Sequence, residues 1–185
     1  MASFQKQPAL KPQDVVVALK IALAPSDASS NRPSGAPTYA HLAKALLMSA
    51  SEAHAAVQRA ITSRLMTQTS DGLTANRAAL QEFLLHGLAY SFPGVEGPVT
   101  RGMPTGAAAP HFGALFDQTQ SLPLVWPDAQ GEVRGPSLCP LYPNVPAACR
   151  LDENLYRMLT ALDALRAGAA REREIAQREV LRLLS

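Results

Sequence analysis

Apolar residues recur at helical spacing in several stretches of this chain and lose that spacing in two others. The first periodic stretch covers residues 12–24, where Val15, Val16, Leu19, Ala22 and Leu23 repeat with a helical period. Pro12 stands where a first-turn proline is tolerated, and Asp14 favours a helix N-terminus. Residues 26–37 are rich in Ser, Asn, Gly and Pro, which predicts a mobile loop. Two short helices are expected next. Thr38 or a close neighbour caps the first, which ends near Leu47. Ser49 or Ser51 caps the second, which ends near Arg64.

Residues 65–68 and the pair Leu73-Thr74 flank a turn made of Thr69, Ser70, Asp71 and Gly72, which predicts a small β-hairpin. Asn76 then caps a helix from Arg77 to about Tyr90, with Ala79, Leu80, Phe83, Leu84, Gly87 and Leu88 as its apolar face. The pattern changes at residues 93–146, which hold ten of the chain's 15 prolines and so nearly exclude regular helix. Phe112, Leu115, Phe116, Leu124, Val125, Trp126, Leu138, Leu141 and Tyr142 nevertheless lie there, and they predict an ordered, mostly extended stretch packed over the helices.

Asp152 opens a long helix reaching close to the C-terminus. Leu151, Leu155, Met158, Leu162, Leu165 and Ala169 step alternately by four and three, a heptad-like seam suited to a symmetric dimer. Residues 170–182 are dense in Arg and Glu, with Gly168 loosening the junction before them. The expected fold is therefore mainly α. Three segments follow: residues 1–92 as a helical unit with a hairpin, 93–150 as a Pro-rich accessory segment, and 151–185 as a C-terminal helical segment for dimerisation or packing.

Composition narrows the classes. With 185 residues and 47% hydrophobic side chains, the chain can bury a core, and wholesale disorder is excluded. No apolar run approaches the roughly 20 residues of a membrane span. Residues 1–11 are polar, so a secretory signal is not expected, and Cys139 and Cys149 are expected as reduced thiols in a cytoplasmic protein. Arg outnumbers Lys 13 to 4 and Ala is abundant, a bias expected of a high-GC bacterial coding background. The net charge of +2 excludes a histone-like polycation. Residues 1–90 carry 8 basic and 5 acidic side chains, whereas 151–185 carry 6 of each, so a nucleic-acid surface is sought in the N-terminal half.

The two short helices carry the most specific signal. Leu42, Leu46 and Met48 read as core positions, and Ala43 is small where two helices would cross closely. Ser49-Ala50-Ser51 makes the turn, and Ala53, Val57 and Ala60 face inward from the following helix. Its other side presents Glu52, His54, Ala55, Gln58 and Arg59, a set able to enter a major groove. With Ser63-Arg64-Leu65-Met66 and the hairpin, the stretch from about residue 10 to 90 resembles a winged helix-turn-helix. In particular it is similar to bacterial transcriptional regulators of the MarR-like class. Leu47 stands where that class usually has the turn glycine, and Arg64 where it usually has the glycine before the wing. The wing tip carries no Arg or Lys.

The resemblance implies a homodimeric, non-enzymatic regulator that binds double-stranded DNA with a recognition helix at about residues 51–64. Gln58 and Arg59 are the expected base readers. Lys44, Arg64, Thr38 and Tyr39 are phosphate candidates, with Ser51, Glu52, His54 and Ala55 on the same surface. The alternative is an antitoxin or adaptor that binds a partner protein through its C-terminal half and autoregulates its operon.

Other chemistry is thin. His41, His54, His86 and His111 form no zinc-type spacing with one another or with the cysteines, so no metal or other cofactor is expected. His86 reads as a structural histidine. Arg101-Gly102-Met103-Pro104-Thr105-Gly106 reads as a surface turn or a partner-contact loop, and Trp126-Pro127 as a packing anchor or an interface hot spot.

Overall fold

The computed structural model describes residues 9–24, 38–70, 72–113, 115 and 122–185. The loop expected at 26–37, the hairpin residue Asp71 and the apolar Phe116 lie outside the described residues. Of the described residues, helix accounts for 57% and strand for 17%, so the fold is mainly helical with two small sheets.

The N-terminal half follows its periodicity closely. Helix α1 (Pro12–Ala22) buries Val15, Val16, Val17 and Leu19. Helices α2 (Tyr39–Leu46) and α3 (Ala50–Thr62) pack against it and against each other. Strands β1 (Met66–Thr69) and β2 (Gly72–Ala75) form an antiparallel hairpin in which Met66 faces Ala75 and Thr69 faces Gly72. The Asn76 side chain caps α4 (Arg77–His86) by accepting from the Ala79 N–H at 3.2 Å, and a short α5 (Leu88–Ser91) follows, so the single helix expected to about Tyr90 breaks at Gly87. His86 is exposed, which corrects the structural role expected for it.

The Pro-rich segment is ordered around three strands, β3 (Glu96–Pro104), β4 (Val125–Pro127) and β5 (Val133–Leu138). β3 pairs antiparallel with both others, and Val125 meets Ser137 in parallel, so the sheet closes on itself. Closure this tight needs backbones in direct contact. A Cβ on Gly102 would collide with the Trp126 carbonyl, and one on Gly135 with that of Pro123. Residues 101–104 therefore belong to a strand, not to the surface turn expected from their composition. The segment also contains a helix, α6 (Val145–Leu151), against expectation. Pro146 is no obstacle because it sits in the first turn, where the backbone N–H has no helical partner to lose.

The long C-terminal helix is instead two, α7 (Glu153–Ala167) and α8 (Ala170–Leu184), which pack on each other. The chain breaks at Gly168, where a Cβ would collide with the Ala164 carbonyl, and the Ala169 N–H donates to Glu172 at 2.8 Å to start α8. Leu155, Met158, Leu162 and Leu165 are all buried within the single chain. The heptad-like seam thus fills this molecule's own core, which removes the expected basis for a C-terminal dimer contact. Leu151, at the seam's start, points outward.

One hydrophobic cluster takes residues from α1 through α8. Its polar centre is Asp163, fully buried on α7, which accepts from Trp126 Nε1 at 2.6 Å, Thr105 Oγ1 at 2.7 Å and Arg166 Nη1 at 2.6 Å. Burial pushes the Asp163 carboxyl up, against the pull of Arg166, Thr105 and Trp126. Arg166 also donates to the carbonyls of Phe92, Pro93 and Cys139. The closed sheet is thereby fastened to α7, and Trp126 is a packing anchor.

Candidate nucleic-acid interface

Helices α2 and α3 are joined by a tight turn with both ends capped. Thr38 Oγ1 accepts from the His41 N–H at 3.2 Å and starts α2. At its other end Leu47 is left-handed, with φ 54° and ψ 43°, and the Met48 N–H reaches back to the Ala43 carbonyl at 2.9 Å. That bond, with buried Met48 following the left-handed residue, is a Schellman closure. Ser49 rather than Ser51 is the cap of α3. Its Oγ accepts from the Glu52 N–H, and its own N–H donates to Glu52 Oε2 at 2.9 Å. These bonds from Ser49 hold the Glu52 carboxyl below its ordinary range.

The far end of α3 repeats the device. Arg64 is left-handed at φ 61°, and the Leu65 N–H reaches back to the Ala60 carbonyl at 2.9 Å. Leu47 and Arg64 are the two non-glycine residues with positive φ among those described. The sterics that favour glycine there are present, and an L-residue has been placed in them at both sites. Each left-handed carbonyl is also held by an asparagine: Asn144 Nδ2 donates to Leu47 O at 2.5 Å, and Asn76 Nδ2 to Arg64 O at 3.2 Å.

Between these two points α3 buries Ala53, Ala56, Val57 and Ala60. Ser51, His54, Gln58 and Thr62 are exposed at steps of three and four, with Ala55 half-buried beside them. The stripe carries no Asp, Glu, Lys or Arg, and the ring of His54 lies 4.9 Å from that of Tyr39 on α2. Lys44 and the side chain of Arg64 are exposed at the edges of this surface.

Arg59 is not on that stripe. Its Nε and Nη2 donate to the two carboxylate oxygens of Asp14 at 2.8 and 2.7 Å, and Asp14 is wholly buried. The Asp14 hydrogen bonds raise the guanidinium pKa further. The expectation that Arg59 reads bases is therefore corrected: its fork is spent on the chain's own carboxylate. Glu52 is likewise spent, on the α3 cap. Asp14 also accepts from the Lys11 N–H at 2.8 Å, so the first-turn role expected for it is real but incomplete. The sequence signal was available: an acidic residue on a helix that is otherwise buried needs a cation.

The hairpin exposes Thr67, Gln68, Thr69 and Ser70, none of them cationic. Arg77, just after it, donates to the Leu184 carbonyl at 3.0 Å and ties α4 to the end of α8. His111 Nε2 lies 2.9 Å from Thr160 Oγ1, and burial pushes its pKa down. Both cysteines are free; Cys149 is buried and its thiol is pushed up, chiefly by burial, while Cys139 is exposed. Among the described residues no group of three or more His, Cys, Asp or Glu side chains is placed to hold a metal ion. No helix among them is long and apolar enough to cross a membrane. Comparison of the chain with protein-family models, with curated proteins and with solved structures yields no match.

Proposed function

We propose that this chain binds double-stranded DNA through α2, α3 and the following hairpin, as a winged helix-turn-helix transcriptional regulator. One observation carries the reading. The left-handed turns bounding α3 fall at the two positions where the MarR-like pattern uses glycine, and they leave a helix face of Ser51, His54, Ala55, Gln58 and Thr62 open to solvent. A helix held at both ends by tight turns, beside a hairpin, is the arrangement that enters a major groove.

The base-reading bet contracts to Gln58, supported by Ser51 and His54, because Arg59 is occupied. An amide side chain on this face suits adenine, which offers one acceptor and one donor in the major groove. Lys44, Arg64, Thr38 and Tyr39 remain the phosphate side. With few exposed cations on this surface among the described residues, nonspecific attraction is shallow, and the affinity falls gently with salt. The homodimer stays part of the proposal on the two-fold symmetry of such operators alone.

The adaptor reading draws support from apolar residues left outside the core. Tyr90 is 88% exposed, Val95 60% and Val99 51%, a concentration that a partner protein would cover. The test between the two is fluorescence anisotropy of the full chain on a duplex from its own upstream region, over a salt series. Saturable binding with a weakened Lys44→Ala variant supports the regulator. No binding at low salt, with co-purification of a second protein, supports the adaptor.

A further inference from the structure

The turn between α2 and α3 is held from outside the helix-turn-helix. Asn144 Nδ2 donates to the Leu47 carbonyl at 2.5 Å, and the Tyr142 hydroxyl donates to the same oxygen at 3.4 Å. Both residues lie some 95 positions along the chain, just before α6, in the segment that the sequence sets apart as accessory. Tyr142 is buried, and α2 packs on α6. Burial and the Glu52 carboxylate push the phenol's pKa up, against the Asn144 hydrogen bond.

We infer that Asn144 and Tyr142 are positioning residues for α3, so that the DNA-binding unit is incomplete without the accessory segment. This rests on the DNA-binding reading. The physical need is specific. A leucine in the left-handed region is disfavoured relative to its ordinary conformations, and the turn it makes sets how α3 leaves α2. Leu47 is 41% exposed, so core packing of its own side chain does little to hold it there. The carbonyl brace supplies what a glycine would otherwise supply through conformational freedom. The opposite end of α3 needs no such help from afar, because Asn76, which braces Arg64, directly follows the adjoining hairpin.

Asn144→Asp keeps the shape of the side chain but replaces the donor with an acceptor facing a carbonyl. Tyr142→Phe removes only the hydroxyl. The readouts are duplex affinity by anisotropy, well below the melting transition, and hydrogen exchange resolved by peptide. Asn144→Asp is expected to weaken duplex binding roughly tenfold, the effect of losing one well-made hydrogen bond at the hinge. Exchange should rise in residues 43–52 while α7 stays protected. Adding Leu47→Gly to Asn144→Asp should restore most of the affinity, because glycine holds the turn without the brace. Wild-type binding that is unchanged in Asn144→Asp and Tyr142→Phe overturns the inference and leaves the DNA reading intact. Exchange that rises throughout the chain also overturns it, since the residues would then be general supports. If the wild type binds no duplex, the DNA reading fails and the inference fails with it; the exchange pattern then reports only whether the turn is braced.

Discussion

Arg59 and Asp14 form a two-pronged ion pair across 45 residues of sequence, and it joins α3 to the buried face of α1. The carboxylate is wholly buried and the Arg59 side chain one-fifth exposed. Removing either partner strands a charge. Arg59→Ala is expected to cost about 3–5 kcal/mol, read as a lower urea midpoint. Pairing Arg59→Gln with Asp14→Asn, which removes both charges, should recover much of that loss. An unchanged midpoint for Arg59→Ala would show that the guanidinium is free after all and restore it as a base reader.

Leu47 and Arg64 hold left-handed conformations that glycine adopts without steric penalty. Left-handed backbone costs an L-residue about 1–2 kcal/mol, part of which glycine returns as unfolded-state entropy. Leu47→Gly and Arg64→Gly should therefore each stabilise the chain by about 0.5–1 kcal/mol, although Gly is destabilising at most helical positions. Thermal melts of the two variants and of Leu47→Ala check this. Destabilisation by both glycines would refute the left-handed turns.

The two thiols differ in environment. Cys139 is exposed and should react with a thiol reagent in the native protein, whereas Cys149 should react only after denaturation, since burial disfavours its thiolate. Cys149→Ser puts a hydroxyl into an apolar site and should cost about 1–3 kcal/mol, while Cys139→Ser should cost almost nothing. Titration of two thiols in the native state would contradict the placement of Cys149.

A chain ending at residue 150 loses Leu155, Met158, Leu159, Leu162 and Asp163, all buried in the common core. It should not fold cooperatively, because the sheet then loses the carboxylate that gathers Trp126, Thr105 and Arg166. Circular dichroism during urea unfolding distinguishes this from a terminal helix pair that only dimerises, whose removal would leave a sharp transition.

The helices of the N-terminal half were legible because their periodicity, caps and hairpin turn are local. Thr38, Ser49 and Asn76 each cap the helix they precede. The failures share one physical origin. Nothing local tells a heptad-like seam that meets a second copy from one that meets its own chain, so Leu155 to Leu165 read as an interface. Nothing local ties Arg59 to an acid on α1, or Asn144 to a carbonyl on the turn after α2. The closed sheet was missed because its strands pair over long separations and are interrupted by Pro98, Pro127 and Pro136, residues that argue against strand. Leu47 and Arg64 nonetheless take the left-handed backbone that glycine favours.

The central claim is that DNA meets the exposed stripe of α3. The most direct measurement is a backbone amide NMR titration of the 19.7 kDa chain with a duplex from its own upstream region. Chemical-shift changes should concentrate at Ser51, His54, Ala55, Gln58 and Thr62, extend to Thr38, Lys44 and the hairpin, and spare Val95 and Val99. Changes confined to residues 90–101, or none at a duplex excess in low salt, would contradict it.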